Sequence, residues 1–219
     1  MRKLIQAVVF DVGGVICPNP LDEFSKVDSE YGLLDGTVMG LIRGGSMFAL
    51  CETGQMALAE FIERSSSAIA AEHGVLVPAE RLESMFRACM GENIVSEMRD
   101  LVLDVKRAGY HTALLTNIFA ERRAWLHSIF PAGTIDVYAD SSELGLRKPE
   151  MPIYERLLEM LGTPAEAVVF VDDFAENILP AKTLGMIGIL FKSPHQVRQQ
   201  LIAAGVHLTP NAGMRGVDV

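Results

Sequence analysis

The first apolar run of this chain is cut off from all the others by a long stretch with only helical periodicity. Residues 4–10 are apolar apart from Gln6 and stop on Asp11. Residues 113–115 stop on Thr116-Asn117, and residues 167–171 stop on Asp172-Asp173. Short continuous apolar runs read as strands buried on both faces, which requires a parallel sheet covered by helices. The polar groups that end such strands collect along the carboxyl edge of the sheet, where open α/β folds bind ligands.

From Leu21 to about Gly91 no strand-like run occurs. Met56, Phe61, Ile62, Ile69 and Ala70 fall near helical spacing, as do Leu82, Met85, Phe86 and Cys89 after Pro78. Gly36, Gly40, Gly44 and Gly45 predict a loop or helix breaks within this region. From about Asn93 the rhythm alternates. Helices are expected at residues 94–108, 120–129, 152–161, 175–184 and 194–203, and strands at 110–116, 135–139, 167–171 and 186–190. Alternation of this kind implies βαβ units with right-handed crossovers. The expected organisation is a core of residues 1–17 and 93–209, a helical insertion of residues 18–92 able to act as a lid, and a frayed tail at 210–219.

A net charge of -9 argues against nucleic-acid binding, which needs clustered Lys and Arg to neutralise phosphates. No stretch approaches the roughly 18 apolar residues of a membrane span. Cys17, Cys51 and Cys89 are odd in number and widely spaced, which fits a reducing cytoplasm better than a disulfide framework or a zinc site. Cys17 reads as a small apolar residue packed under the loop after Asp11. Arg122 and Arg123 read as a solvated helix face, with a cap-facing substrate contact as the alternative, and Trp125 falls on the buried side of the same helix.

Asp11 is the first candidate catalyst, since an ionised carboxylate can attack phosphorus or carbon and form a covalent intermediate. Facing a phosphate dianion it would be repelled. Asp172 and Asp173 can join it in holding a hard cation, and Lys148 brings a second positive charge. An oxygen-only site of this kind suits Mg²⁺. Thr116 and Asn117 supply donors for phosphoryl oxygens.

Phe10-Asp11-Val-Gly-Gly-Val15, Leu114-Leu-Thr116-Asn117, Gly145-Leu-Arg-Lys148-Pro149-Glu150 and Val171-Asp172-Asp173 with Asn177 resemble, in order, the four motifs of the haloacid dehalogenase-like hydrolases. The stretches from Lys148 to Tyr154 and from Pro180 to Met186 particularly resemble the phosphatase domain of soluble epoxide hydrolase and the bacterial glucose-1-phosphate phosphatases. The resemblance implies an α/β fold, a Rossmann-like parallel sheet core with an inserted all-helical cap. It also implies a Mg²⁺-dependent phosphatase of small phosphorylated metabolites acting through an aspartyl-phosphate. Asp11 would be the nucleophile, Thr116 and Asn117 would bind the transferring group, and Lys148 would neutralise charge. Asp11, Asp173 and the Gly13 backbone carbonyl would hold the metal, with Asp172 behind them and Asn177 bracing the loop.

One departure stands out. Phosphatases of the family generally carry a second Asp two residues after the nucleophile, where this chain has Gly13. That residue protonates the leaving oxygen, and general acid catalysis contributes typically about 10²- to 10⁴-fold. A carboxylate from the insertion such as Glu52, or a bound water, is the expected substitute. Two other readings fit the same gap: a metal-independent 2-haloacid dehalogenase, whose halide leaves without a proton, and an impaired binding protein on the same fold. The paired acids Asp172-Asp173 favour phosphoryl transfer, because without a cation they would repel Asp11.

Overall fold

The computed structural model describes residues 4–18, 21–42, 45–89 and 93–208. The expected tail at 210–219 and Gly44 lie outside the described residues. Five strands form one parallel sheet: β1 (Ala7–Phe10), β2 (His111–Thr116), β3 (Val137–Asp140), β4 (Val168–Asp172) and β5 (Ile187–Leu190). Their order is β3-β2-β1-β4-β5. The chain moves outward from β1 through β2 to β3, then returns across the sheet to β4 on the other side of β1. The order therefore reverses between β1 and β4, and a crevice opens outside their carboxyl ends.

The continuous apolar runs follow from burial on both faces. Val8 and Phe10 of β1 point into one cluster with Met98, Leu101, Val105 and Leu201, carried by α6 (Ser96–Arg107) and α11 (Pro194–Ala204). Ala7 and Val9 point the other way, onto Ile153, Tyr154, Leu157 and Ile178 of α9 (Met151–Leu161) and α10 (Ala175–Thr183). Successive strand residues alternate between faces, so both must be apolar when helices cover each side.

Between β1 and β2 the chain forms α1 (Leu21–Glu30), α2 (Thr37–Ile42), α3 (Ser46–Glu52), α4 (Leu58–His73) and α5 (Ala79–Cys89). These helices share a separate apolar cluster built on Phe24, Phe48, Phe61, Met85 and Phe86. Of the glycines expected to break this region, Gly40 lies inside α2, whereas Gly45 caps the start of α3. The insertion leaves and rejoins the core side by side, with Val95 N–H donating to the Ile16 carbonyl at 2.8 Å. Among the described residues no helix is long and apolar enough to cross a membrane.

The expected helix at 120–129 is a correction. It is a 3₁₀ turn, Ala120–Arg122, followed by the single turn of α7 (Arg123–Leu126). Ser128 Oγ takes the Trp125 carbonyl at 2.7 Å, a local bond that competes with helix continuation. A short helix absent from the sequence reading, α8 (Ser141–Leu144), follows β3 directly. Its signal is legible in Asp140-Ser-Ser-Glu143: the Asp140 carboxylate accepts from Ser142 N–H and Glu143 N–H.

Candidate active site

Asp11 stands immediately beyond β1, at the reversal of strand order. Its N–H still bonds the Val171 carbonyl at 2.9 Å, so its backbone is held as a continuation of the sheet. The following loop turns back at once, Ile16 N–H and Cys17 N–H both reaching the Val12 carbonyl. Gly14 has φ 76°, and a Cβ there would lie 2.1 Å from Asp173 Oδ2. Only glycine lets the β1 loop and the β4 loop approach this closely. Cys17 is buried, and burial pushes its thiol up to about 11, as befits a packing residue.

Lys148 lies at the bottom of the crevice with 2% exposure. Its Nζ is 2.7 Å from Asp11 Oδ1 and 2.6 Å from Asp172 Oδ2. Burial alone would lower the Lys148 pKa, but Asp11 and Asp172 outweigh it and hold the ammonium above its usual value. Asp172 accepts further bonds from Asn177 Nδ2 at 3.0 and 3.1 Å and from Phe174 N–H at 2.8 Å. Tyr154 O–H fixes Asn177 in turn through its carbonyl at 2.8 Å. Burial raises the Asp11 pKa; Lys148 opposes this, while Asp172 and Asp173 add to it.

Carboxylate oxygens of Asp11, Asp172 and Asp173 lie within 4.8 Å of one another. Three carboxylates facing one ammonium leave an anionic excess. A hard divalent cation fits that charge and that all-oxygen donor set. Asp172 already serves Lys148, Asn177 and Phe174.

The four motif segments thus meet in space. Thr116 is buried beside Asp11's strand, its hydroxyl 3.4 Å from the Asn117 carbonyl. Asn117 also makes a side-chain contact that the sequence does not show. Its side chain clasps the Lys148 backbone, accepting from Lys148 N–H at 2.8 Å and donating to the Lys148 carbonyl at 3.0 Å. Two further groups went unassigned in the sequence. Arg147 Nη2 lies 2.7 Å from Glu52 Oε2, joining the loop before Lys148 to the end of α3. Ser141 Oγ donates to the Glu52 carbonyl at 2.6 Å. Arg123 is half-buried rather than wholly solvated: its Nε donates to the fully buried Asp140 at 3.0 Å, while Arg122 covers the Trp125 ring at 4.0 Å.

A family model described as haloacid dehalogenase-like hydrolase matches residues 5–185. The chain belongs to this family of hydrolases. It is 27% identical over 195 residues to the sesquiterpene phosphatase astK of Aspergillus oryzae, covering 86% of this chain and 91% of that protein. It is 24% identical to the bifunctional epoxide hydrolase 2 of Sus scrofa, matching 90% of this chain but spanning only 38% of the pig protein. A HAD family enzyme from Bacteroides thetaiotaomicron, solved with magnesium and inorganic phosphate, shares the fold. Its TM-score is 0.61 at 19% identity, over 86% of this chain and 94% of that one.

Proposed function

We propose that this haloacid dehalogenase-like hydrolase is a Mg²⁺-dependent phosphatase of small phosphorylated metabolites, with Asp11 as nucleophile. The observation that carries the reading is the single cluster in which Lys148 touches Asp11 and Asp172 while Asp173 stands beside them. Its phosphatase relatives and the magnesium–phosphate complex of its structural neighbour lend support. A metal-free dehalogenase has no use for three carboxylates crowded together, because each raises the pKa of the next. A retired binding protein has no physical reason to keep them either.

In this reading Asp11 attacks phosphorus, Lys148 neutralises the transferring oxygens, and Thr116 with the Asn117 backbone orients them. Bound Mg²⁺ would supply charge neutralisation at the same oxygens. Asp11, Asp173 and the Gly13 carbonyl would hold it, while Asp172 and Asn177 fix the loop behind. Residues 18–92 act as a cap that excludes water from the crevice. The buried, unpaired Cys17 and Cys51 fit a reducing cytoplasm.

The deciding experiment is single-turnover phosphate release with and without Mg²⁺, run beside Asp11→Asn. Wild-type protein is expected to form an acid-stable phosphoenzyme, and Asp11→Asn to lose at least about 10³-fold in turnover. Turnover of a haloacid without metal, or undiminished phosphate release by Asp11→Asn, would overturn the reading.

A further inference from the structure

Gly13 leaves an opening next to the nucleophile. A Cβ built there meets nothing within 4 Å, so no neighbouring side chain has filled the space of the acid the family usually places at this position. Some group must still protonate the leaving oxygen if the substrate is an alkyl phosphate, because an alkoxide leaves poorly.

The buried carboxylates among the described residues are Asp11, Asp28, Glu52, Asp140 and Asp172. Asp11 and Asp172 are taken by Lys148. Asp28 accepts from Gly36 N–H and Val38 N–H within the insertion, and Asp140 is held by Ser142, Glu143 and Arg123. Glu52 remains. It ends α3 with 7% exposure and turns out of the insertion toward the core.

Its setting is built rather than incidental. Gly54, at φ 68°, brings the turn after α3 so close to the core that a Cβ would lie 2.4 Å from the Ser142 carbonyl oxygen. Ser141 pins the Glu52 carbonyl from the same side. The carboxylate then lies between Arg147, the residue before Lys148, and Asn117, the residue after Thr116. The Arg147 contact is close but not aligned as a hydrogen bond, so buried Glu52 Oε2 and buried Arg147 Nε both retain unused bonding capacity.

From this placement we infer that Glu52 is the catalytic acid–base of the hydrolase, delivered from the insertion in place of a residue at position 13. The inference rests on the phosphatase reading above. In the first half-reaction an Asp11 oxygen bonds to phosphorus, the bond from phosphorus to the leaving oxygen breaks, and the Glu52 proton passes to that oxygen, releasing an alcohol. In the second, the Glu52 carboxylate takes a proton from water as the water oxygen bonds to phosphorus. Phosphate leaves, and both Asp11 and the protonated Glu52 are restored. The charged groups facing Glu52 are Arg147 and Lys148, both cationic. Burial nevertheless raises its pKa above that of an ordinary glutamate, which keeps the proton available closer to neutral pH.

The test compares an alkyl phosphate with an acyl phosphate, whose carboxylate leaves without a proton, and reads release of the leaving group in the first turnover, before the water step that both substrates share. Glu52→Gln is expected to slow the alkyl ester by about 10²-fold or more and the acyl phosphate by less than about threefold. Adding Gly13→Asp to Glu52→Gln should restore at least about tenfold on the alkyl ester. Equal losses on the two substrates in a folded Glu52→Gln protein, or no loss on the alkyl ester, overturn the inference. Should Glu52→Gln lose its circular dichroism signature, Glu52→Asp carries the test. Drawing the carboxyl back by one methylene should slow the alkyl ester at least about tenfold and the acyl phosphate less than about threefold, and equal effects on both overturn the inference. If wild-type protein hydrolyses neither substrate, the phosphatase reading falls and takes this inference with it. If it hydrolyses acyl phosphate yet Glu52→Gln is blind to the leaving group, the inference alone falls.

Discussion

Asn117 illustrates how much of the site is held by side chains that never need to touch phosphate. Its amide makes two bonds to the backbone of Lys148, so the lysine arrives at Asp11 with its main chain already fixed. Removing a clasp of this kind misplaces a charge by a fraction of an ångström to an ångström, which costs about 10²-fold in rate. Asn117→Ala is therefore expected to lower kcat by about that factor on any phosphate substrate, read by steady-state kinetics. Gly54→Ala should act on stability instead. It forces a left-handed backbone on alanine and pushes a methyl group into the Ser142 carbonyl, costing about 2 kcal/mol in urea denaturation. Asp11, Thr116, Asp172 and Asp173 were legible in the sequence because each ends an apolar run. The clasp by Asn117 and the Glu52–Arg147 pair were not, because their partners lie far along the chain and no local period records them.

At the level of elements, the sheet was readable and its joints were not. Strands β1, β2 and β4 follow from continuous apolar runs, and α6, α9, α10 and α11 from helical spacing, each within a residue or two of expectation except the start of β1, which begins at Ala7 where the run begins at Leu4. Residues 120–129 read as one regular helix, whereas the chain from Phe119 onward serves two different cores. Leu126 packs under the sheet, whereas Phe119 enters the aromatic cluster of the insertion, 5.5 Å from Phe48 and 6.0 Å from Phe86. Glu121 from the same segment accepts from Leu58 N–H at 2.9 Å and so caps the start of α4. This segment is one of the ties between the insertion and the core. Phe119→Ala is expected to cost about 3 kcal/mol, measured as a lower urea midpoint, because it empties a place among rings that cannot collapse fully.

For the molecule as a whole, the carboxylate cluster is an electrostatic load on the folded state. Asp11, Asp172 and Asp173 repel one another at short range, and Lys148 offsets only part of that. A divalent cation that binds the folded chain and not the unfolded one should relieve it. At a concentration about 100-fold above its Kd, Mg²⁺ is expected to add about 2.7 kcal/mol. For a chain of this length that raises Tm on the order of 5–10 °C, and a chelator should reverse the shift. Asp173→Asn should abolish the response while leaving the metal-free Tm unchanged or higher. Differential scanning calorimetry distinguishes these outcomes without any assay of turnover.

The bond between Val95 and Ile16 has a consequence for ancestry and for engineering alike. All five helices beyond it hang from a doorway barely wider than a hairpin, opening beside two neighbouring central strands. A foreign bundle spliced in at that threshold would leave the pairing of those strands untouched, so selectivity can be exchanged wholesale provided the newcomer brings its own proton donor where Glu52 stood.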